Sequence, residues 1–235
     1  MIQSDNIDQS EIDKFSELAS RWWDETSEFK PLHAINPLRL QWIQEHCNLE
    51  NQNVLDIGCG GGILTESLRN AGAIAKGIDL SKKALQVAKL HSLETGIQVE
   101  YELISAEYLA EKESGKYDVI TCMEMLEHVP NPRSIVQACA KLAKPGATLF
   151  FSTLNRNAKS YMMAILGAEY ILKMLPKGTH DYSKFIKPSE LAEYVRENGL
   201  ELIDMMGLHY TPIVDHYYLG PNVDVNYMIA VKKPY

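Results

Sequence analysis

The stretch Val54-Leu55-Asp56-Ile57-Gly58-Cys59-Gly60-Gly61-Gly62-Ile63-Leu64-Thr65-Glu66-Ser67-Leu68 decides the fold of this 235-residue chain. A short aliphatic run reads as a buried strand, glycines follow at alternate positions, and a helical pattern starts at once. Glycines at 58, 60 and 62 let the backbone turn sharply and approach a ligand that a Cβ would push away. The turn leads into a helix N-terminus, whose dipole favours an anionic group.

Outward from this loop, the apolar runs Ile74–Ile78, Val99–Ile104, Val119–Met123 and Ala147–Ser152 alternate with helical stretches near Ile63–Ala71, Lys82–Glu94 and Pro132–Ala143. That alternation implies right-handed βαβ crossovers and a mainly parallel α/β sheet. Lys144-Pro145-Gly146 is a turn signal that introduces the fifth strand. Later, an apolar insert of about 157–187 precedes a helix near Pro188, and the runs Leu202–Leu208 and Val225–Val231 are expected to close the sheet as a hairpin. Upstream, Ile12, Phe15, Leu18, Ala19, Trp22 and Trp23 recur at helical spacing behind Asp8 or Ser10 as N-cap, and a second short helix is expected after Pro37. The chain reads as a single domain over 1–235, with an N-terminal helical cap at about 8–47.

Composition excludes several classes of function. Hydrophobic residues make up 46% and charged residues 23%, the balance of a globular protein. A net charge of −8 without a dense basic cluster would repel a phosphate backbone, so nucleic acid is not an expected partner. Cys47, Cys59, Cys122 and Cys139 contain no CxxC pair, which argues against a zinc knuckle or a disulfide framework. The polar, acidic start MIQSDNIDQSEIDKF lacks the features of an export signal, so a cytoplasmic location is expected.

Spacing discriminates among anionic ligands. A dinucleotide fingerprint needs a sixth-position glycine, but Ile63 stands there counting from Gly58, and Thr65 counting from Gly60. Glycines at the first, third and fifth positions behind Asp56 resemble the first motif of class I methyltransferases, where the anion is the methionine carboxylate of S-adenosylmethionine. Asp56 would organise the loop and the methionine ammonium. Asp79 ends the next strand about 20 residues on, where its two oxygens suit a ribose diol. Cys59 and Gly60 in the loop, and Leu80 after Asp79, are assigned to the same site. Ser105-Ala106-Glu107 occupies the adenine position, with helix capping by Ser105 an equal alternative. Met123 would pack against adenine or the sulfonium, or simply in the core.

Methyl transfer is an in-line displacement, and a phenol with a pKa of about 10 needs help to lose its proton near neutrality. Glu124, Glu127 and His128 follow the fourth strand at i, i+3 and i+4, on one face if the segment turns helically. They could hold a divalent ion such as magnesium, or Glu127 and His128 could serve as catalytic bases. A purely structural role, capping a helix or bonding to the loop, is the third reading. No Asn- or Asp-Pro-Pro-Tyr run of the amino-methylating type is present, which favours an oxygen or carbon acceptor.

The insert from Ser160 to Leu175 is apolar but interrupted by Glu169 and Lys173, and too short to span a bilayer comfortably. Arg156, Lys159, Lys173 and Lys177 give it the basic excess of an interfacial helix on anionic lipid; a lid over the active site is the other reading.

Beyond the glycine loop, the chain strongly resembles the bacterial ubiquinone biosynthesis O-methyltransferases. The likeness rests on Arg21-Trp22-Trp23-Asp24, Glu28-Phe29-Lys30-Pro31-Leu32-His33, Ile35-Asn36-Pro37-Leu38-Arg39, the run Met123–Pro130, Phe151-Ser152-Thr153-Leu154-Asn155-Arg156-Asn157, Gly167–Lys177 with Gly178-Thr179-His180-Asp181, and Asp224-Val225-Asn226-Tyr227-Met228. The resemblance implies a Rossmann-like class I methyltransferase fold with an antiparallel C-terminal strand. It implies two acceptors, a polyprenylated catechol and a demethylubiquinol. It also implies that Arg39, Gly58, Asp79 and Met123 contact S-adenosylmethionine. In eukaryotic relatives the Glu-x-x-Glu-His pattern matched by Glu124, Glu127 and His128 serves magnesium. Lipid-resident acceptors imply a peripheral place at the inner membrane, with residues of about 157–177 docking on it and other enzymes of the pathway as admissible partners. Two alternatives stay open: a methyltransferase for another small phenol or quinone, and a lipid-bound assembly protein that retains S-adenosylmethionine.

Overall fold

The computed structural model describes residues 6–161 and 181–235. Helices α1 (Gln9–Leu18) and α2 (Lys30–His46) precede β1 (Asn53–Ile57), α3 (Ile63–Asn70), β2 (Ile74–Asp79), α4 (Lys82–Thr95), β3 (Glu100–Leu103), α5 (Ala106–Lys112) and β4 (Tyr117–Met123). Then come α6 (Pro132–Leu142), β5 (Ala143–Leu154), the single turn α7 (Ala158–Ser160), α8 (Pro188–Glu197), β6 (Glu201–Thr211), β7 (His216–Gly220) and β8 (Asn226–Lys232). The sheet order is β3-β2-β1-β4-β5-β8-β6-β7. The first five of these strands run parallel, and β8 pairs antiparallel with both β5 and β6.

The central strands read as unbroken apolar runs because both faces are covered. Adjacent Phe150 and Phe151 point to opposite faces, Phe150 packing with Trp42 and Leu68, and Phe151 with Val136 and Leu191. Helices α2 and α3 thus cover one side, and α6 and α8 the other. The carboxyl ends of β1, β2, β4 and β5 meet at one edge, where ligands of such sheets bind.

The structure departs from the sequence expectations in five places. Helix α1 stops at Leu18, and a 3-10 turn over Ala19–Arg21 redirects Trp22 and Trp23 onto the glycine loop. Helix α2 begins at Lys30, with Pro31 in its first turn, and continues through Pro37 instead of starting after it. Proline at 31 suits a first turn, where its missing N–H has no partner to lose. Lys144-Pro145-Gly146 lies inside β5 as an irregularity: Tyr117 pairs with Ala143, but Val119 already pairs with Thr148. The late runs do pair, Met206 opposite Met228, yet not as a hairpin. Between them runs β7, an edge strand without a clean burial alternation and therefore without a periodic signal. Helix α5 is marked in the sequence only by its cap, Ser105, whose hydroxyl accepts from the Tyr108 amide at 3.2 Å.

Of the apolar insert expected at 157–187, residues 162–180 lie outside the described residues. Of the four basic residues read as a lipid-facing excess, two are already paired: Arg156 with Glu190, and Lys159 with Asp224 at 2.9 Å. Among the described residues no helix is long and apolar enough to cross a membrane.

Candidate active site

The loop after β1 is built by backbone geometry. The amides of Gly58 and Cys59 both donate to the Ile78 carbonyl, at 2.9 and 3.1 Å, which folds the loop across the end of β2. Gly58, Gly60 and Gly62 have φ of +72°, +54° and +90°, the left-handed region that favours glycine. Trp22 lies over the loop so closely that a Cβ on Gly60 would come within 2.1 Å of its ring. Trp22 also stacks on Phe29 at 4.2 Å, and the Trp23 indole donates to the Gly61 carbonyl at 2.9 Å.

Asp56 is buried between two hydroxyls: Thr65 and Thr121 each donate to one of its oxygens at 2.7 Å. Burial pushes its carboxyl up to about 6 despite these donors. Asp79 accepts from the Gly60 amide at 2.9 Å and from the Ser81 amide at 2.7 Å, which locks the end of β2 to the glycine loop. Burial raises its carboxyl also. Each Asp79 oxygen retains acceptor capacity for a diol beside the cavity.

Arg39 projects from α2 into the same space, almost wholly buried. One guanidinium nitrogen bonds to Glu124 at 2.7 Å, while its Nε has no hydrogen-bond partner. A buried N–H without a partner costs free energy unless a ligand supplies an acceptor.

The three acidic and imidazole groups after β4 do not share a helical face. Glu124 has φ of +52° and Leu126–His128 forms a 3-10 turn, so the chain kinks between them. Glu124 is drawn towards Arg39, the Ser152 hydroxyl at 2.8 Å and the Asn226 amide at 3.1 Å. Glu127 accepts from the Thr153 hydroxyl at 2.8 Å through one oxygen, and its other oxygen is buried without a partner. Burial, reinforced by the nearby Glu124 charge, pushes the Glu127 carboxyl up to about 7. His128 Nδ1 lies 3.0 Å from a Glu11 oxygen, with Phe15 edge-on at 5.0 Å. Burial is the largest single influence on His128 and opposes its charge, but the hydrogen bond to Glu11 together with the charges of Glu127, Glu11 and Glu124 outweighs it and raises the imidazole above its ordinary value. Among the described residues no group of three histidine, cysteine, aspartate or glutamate side chains is arranged to hold a metal ion. The one-face cluster expected from the spacing is therefore corrected to three side chains with three separate sets of partners.

Thirteen residues assigned to the site from the sequence line one cavity of about 800 Å³, namely Arg39, Asp56, Gly58, Cys59, Gly60, Asp79, Leu80, Ala106, Glu107, Met123, Glu124, Glu127 and His128, whereas the loop glycine Gly62 does not line it. Their exposure to it differs in kind. The Cys59 side chain belongs to the cluster of Leu85, Ala88 and Tyr101, which leaves chiefly backbone for a ligand. Glu107 already accepts from Asn6 and from Ser134, at 2.9 and 3.0 Å. Met123 packs in the core cluster of Trp42 and also lines the cavity. Sequence reasoning missed Glu11, Thr65 and Thr121. Each is an ordinary polar residue within an element, and only the fold brings it to its partner.

The donor set fits S-adenosylmethionine. The glycine loop and the partnerless Arg39 N–H suit a carboxylate, Asp79 suits the ribose hydroxyls, and the apolar cavity wall of Leu80, Ala106 and Met123 suits an adenine ring.

Comparison with known proteins agrees. A family described as a methyltransferase domain matches residues 19–205. The chain is 61% identical to a ubiquinone biosynthesis O-methyltransferase of Ralstonia nicotianae over 97% of this chain and 96% of that one. It is 60% identical to the one from Azoarcus sp., over 97% of this chain and 98% of that one. Among solved structures, magnesium protoporphyrin IX methyltransferase from Synechocystis PCC 6803 with bound SAH superimposes with a TM-score of 0.69 at 19% identity, covering 94% of each chain. That likeness establishes the fold, and the sequence relatives establish the rest: this chain belongs to the ubiquinone biosynthesis O-methyltransferases, S-adenosylmethionine-dependent enzymes of Rossmann-like class I fold.

Proposed function

We propose that the chain methylates ring hydroxyls of a polyprenylated catechol and of a demethylubiquinol, with Glu127 as the proton acceptor. One observation carries this reading: a single cavity joins the glycine loop to a buried carboxyl that has a free oxygen and is poised near neutrality. When bound, S-adenosylmethionine supplies a methyl group activated by its sulfonium. The chain's part is to hold and orient. Arg39 and the loop amides take the carboxylate, Asp79 takes the ribose, and Asp56, fixed by two hydroxyls, steadies the loop. The partnerless oxygen of Glu127 accepts the ring-hydroxyl proton, leaving the phenolic oxygen free to attack. His128, oriented by Glu11 through Nδ1, also lines the cavity and serves as a second proton-holding group.

A magnesium ion at Glu124, Glu127 and His128 is the competing account of proton loss. It would require these groups to turn from Arg39, Thr153 and Glu11, their present partners. Mass-spectrometric detection of methyl transfer to a short-chain prenylated catechol, with and without a chelator, separates the two. Product that survives chelation supports the carboxylate base, and loss with chelator supports the metal. No product while the cofactor binds would point to a different acceptor.

The same reading places the protein at the cytoplasmic face of the inner membrane, docked through about 157–177. Lipid-resident acceptors and the basic, apolar character of that segment support it. Sedimentation with anionic liposomes tests it, and protein that stays in the supernatant rejects it.

A further inference from the structure

The cavity extends well past the reacting groups. One wall is the edge hairpin of β6 and β7, where Tyr210 and Tyr217 stand opposite each other with ring centroids 4.5 Å apart. Pro212 continues that wall, and Leu32 of α2 also lines the cavity. The hairpin is latched to the start of α2: Lys30 bonds to Asp215 at 2.6 Å, and the Tyr210 hydroxyl donates to the other Asp215 oxygen at 3.0 Å. This ion pair is internally neutral. Beyond the rings lies the hairpin tip, where Ile213 is 95% and Val214 66% exposed. Two adjacent branched aliphatic side chains left in water forgo the stabilisation that burial would give them.

We propose that Leu32, Tyr210, Pro212 and Tyr217 form a tail subsite that carries the isoprenoid chain of the acceptor out of the cavity and over Ile213 and Val214. The inference rests on the acceptor class proposed above. A long tail cannot be contained with its ring and must leave the cavity along an apolar path. The hairpin provides one that is continuous from cavity wall to exposed tip. An isoprenoid chain offers repeated branched apolar units, and the faces of rigid tyrosines give it contact area at low entropic cost. The Lys30 to Asp215 latch holds that path in place without putting an uncompensated charge on it.

Two measurements test the subsite. In the first, a farnesyl probe bearing a diazirine at its distal end is photolysed with the full chain and the labelled peptides are mapped. Label is expected within 208–218, competed by an unlabelled prenylated catechol. Label confined to other regions overturns the proposal whether or not the protein turns over catechols, which separates its failure from failure of the acceptor assignment. In the second, kcat/KM is compared for a prenylated and a tail-less catechol. Tyr217→Ala and Ile213→Ser should each lower the ratio of tailed to tail-less kcat/KM, by about tenfold for Tyr217→Ala because the truncation strips the tail of an aromatic face to pack against. Ile213→Ser, at an exposed position, guards against simple misfolding. An unchanged ratio in both variants overturns the proposal.

Discussion

A buried carboxyl with one oxygen unpartnered is a poor anion until something donates to it, and Glu127 is in that position. Its ordinary value is 4.5 and burial lifts it to about 7, so between these limits the folded protein keeps a proton that the unfolded chain has lost. Stability contributed at this site therefore falls as pH rises from about 4.5 to about 7 and levels off above it. Turnover by an ionised base rises through the upper part of the same window. Glu127→Gln should lower kcat by about a hundredfold or more and abolish that rise. Its melting temperature should gain on the wild type at pH 8 relative to pH 5; a pH–rate profile with the wild-type rise retained would reject Glu127 as the base. Asp79 makes a different argument, since its amide partners leave lone pairs for a ribose. Asp79→Ala should weaken S-adenosylmethionine about tenfold to a hundredfold, the worth of one or two hydrogen bonds to a charged group. Unchanged affinity in calorimetric titration would refute that role.

The decisive element is the strand–loop–helix unit of β1 and α3. Its glycines are legible as a cofactor loop because spacing alone separates them from a dinucleotide fingerprint. What leans on them is illegible: Trp22 over Gly60, and Tyr101 beside Gly62. A Cβ on Gly62 would fall 2.2 Å from the Tyr101 hydroxyl, at a φ of +90° that L-residues avoid. Gly62→Ala should therefore cost about 1–3 kcal/mol from the backbone, with more if Tyr101 must move, read by urea unfolding. At the segment after β4, residue spacing suggests a helical face, but a left-handed Glu124 breaks it. Backbone handedness at a single non-glycine residue leaves no periodic trace in a sequence.

For the molecule as a whole, the described segments that flank the insert are tied to the sheet and to helix α8. The Ile186 amide donates to the Leu154 carbonyl at 3.0 Å, and the Tyr227 hydroxyl to the Ile186 carbonyl at 2.9 Å. With Arg156 paired to Glu190, both ends of the insert are anchored to the core. Deleting residues 160–175 should leave the circular dichroism spectrum and cofactor affinity close to wild type while reducing sedimentation with anionic liposomes. Collapse of the fold would show the insert to be part of the core, and undiminished sedimentation would remove it as the docking element.

The sequence by itself determined the alternating α/β order, the glycine loop, the acids at the ends of β1 and β2, and the family. These rest on local spacing and on contiguous motifs, which survive in one dimension. Only the tertiary structure decided that Glu11 of the first helix meets His128, that Thr65 and Thr121 bracket Asp56, and that an unforeseen edge hairpin walls the cavity. Those contacts join residues far apart in the chain. Side-chain reach across a folded edge sets them, and no periodicity of the sequence encodes it.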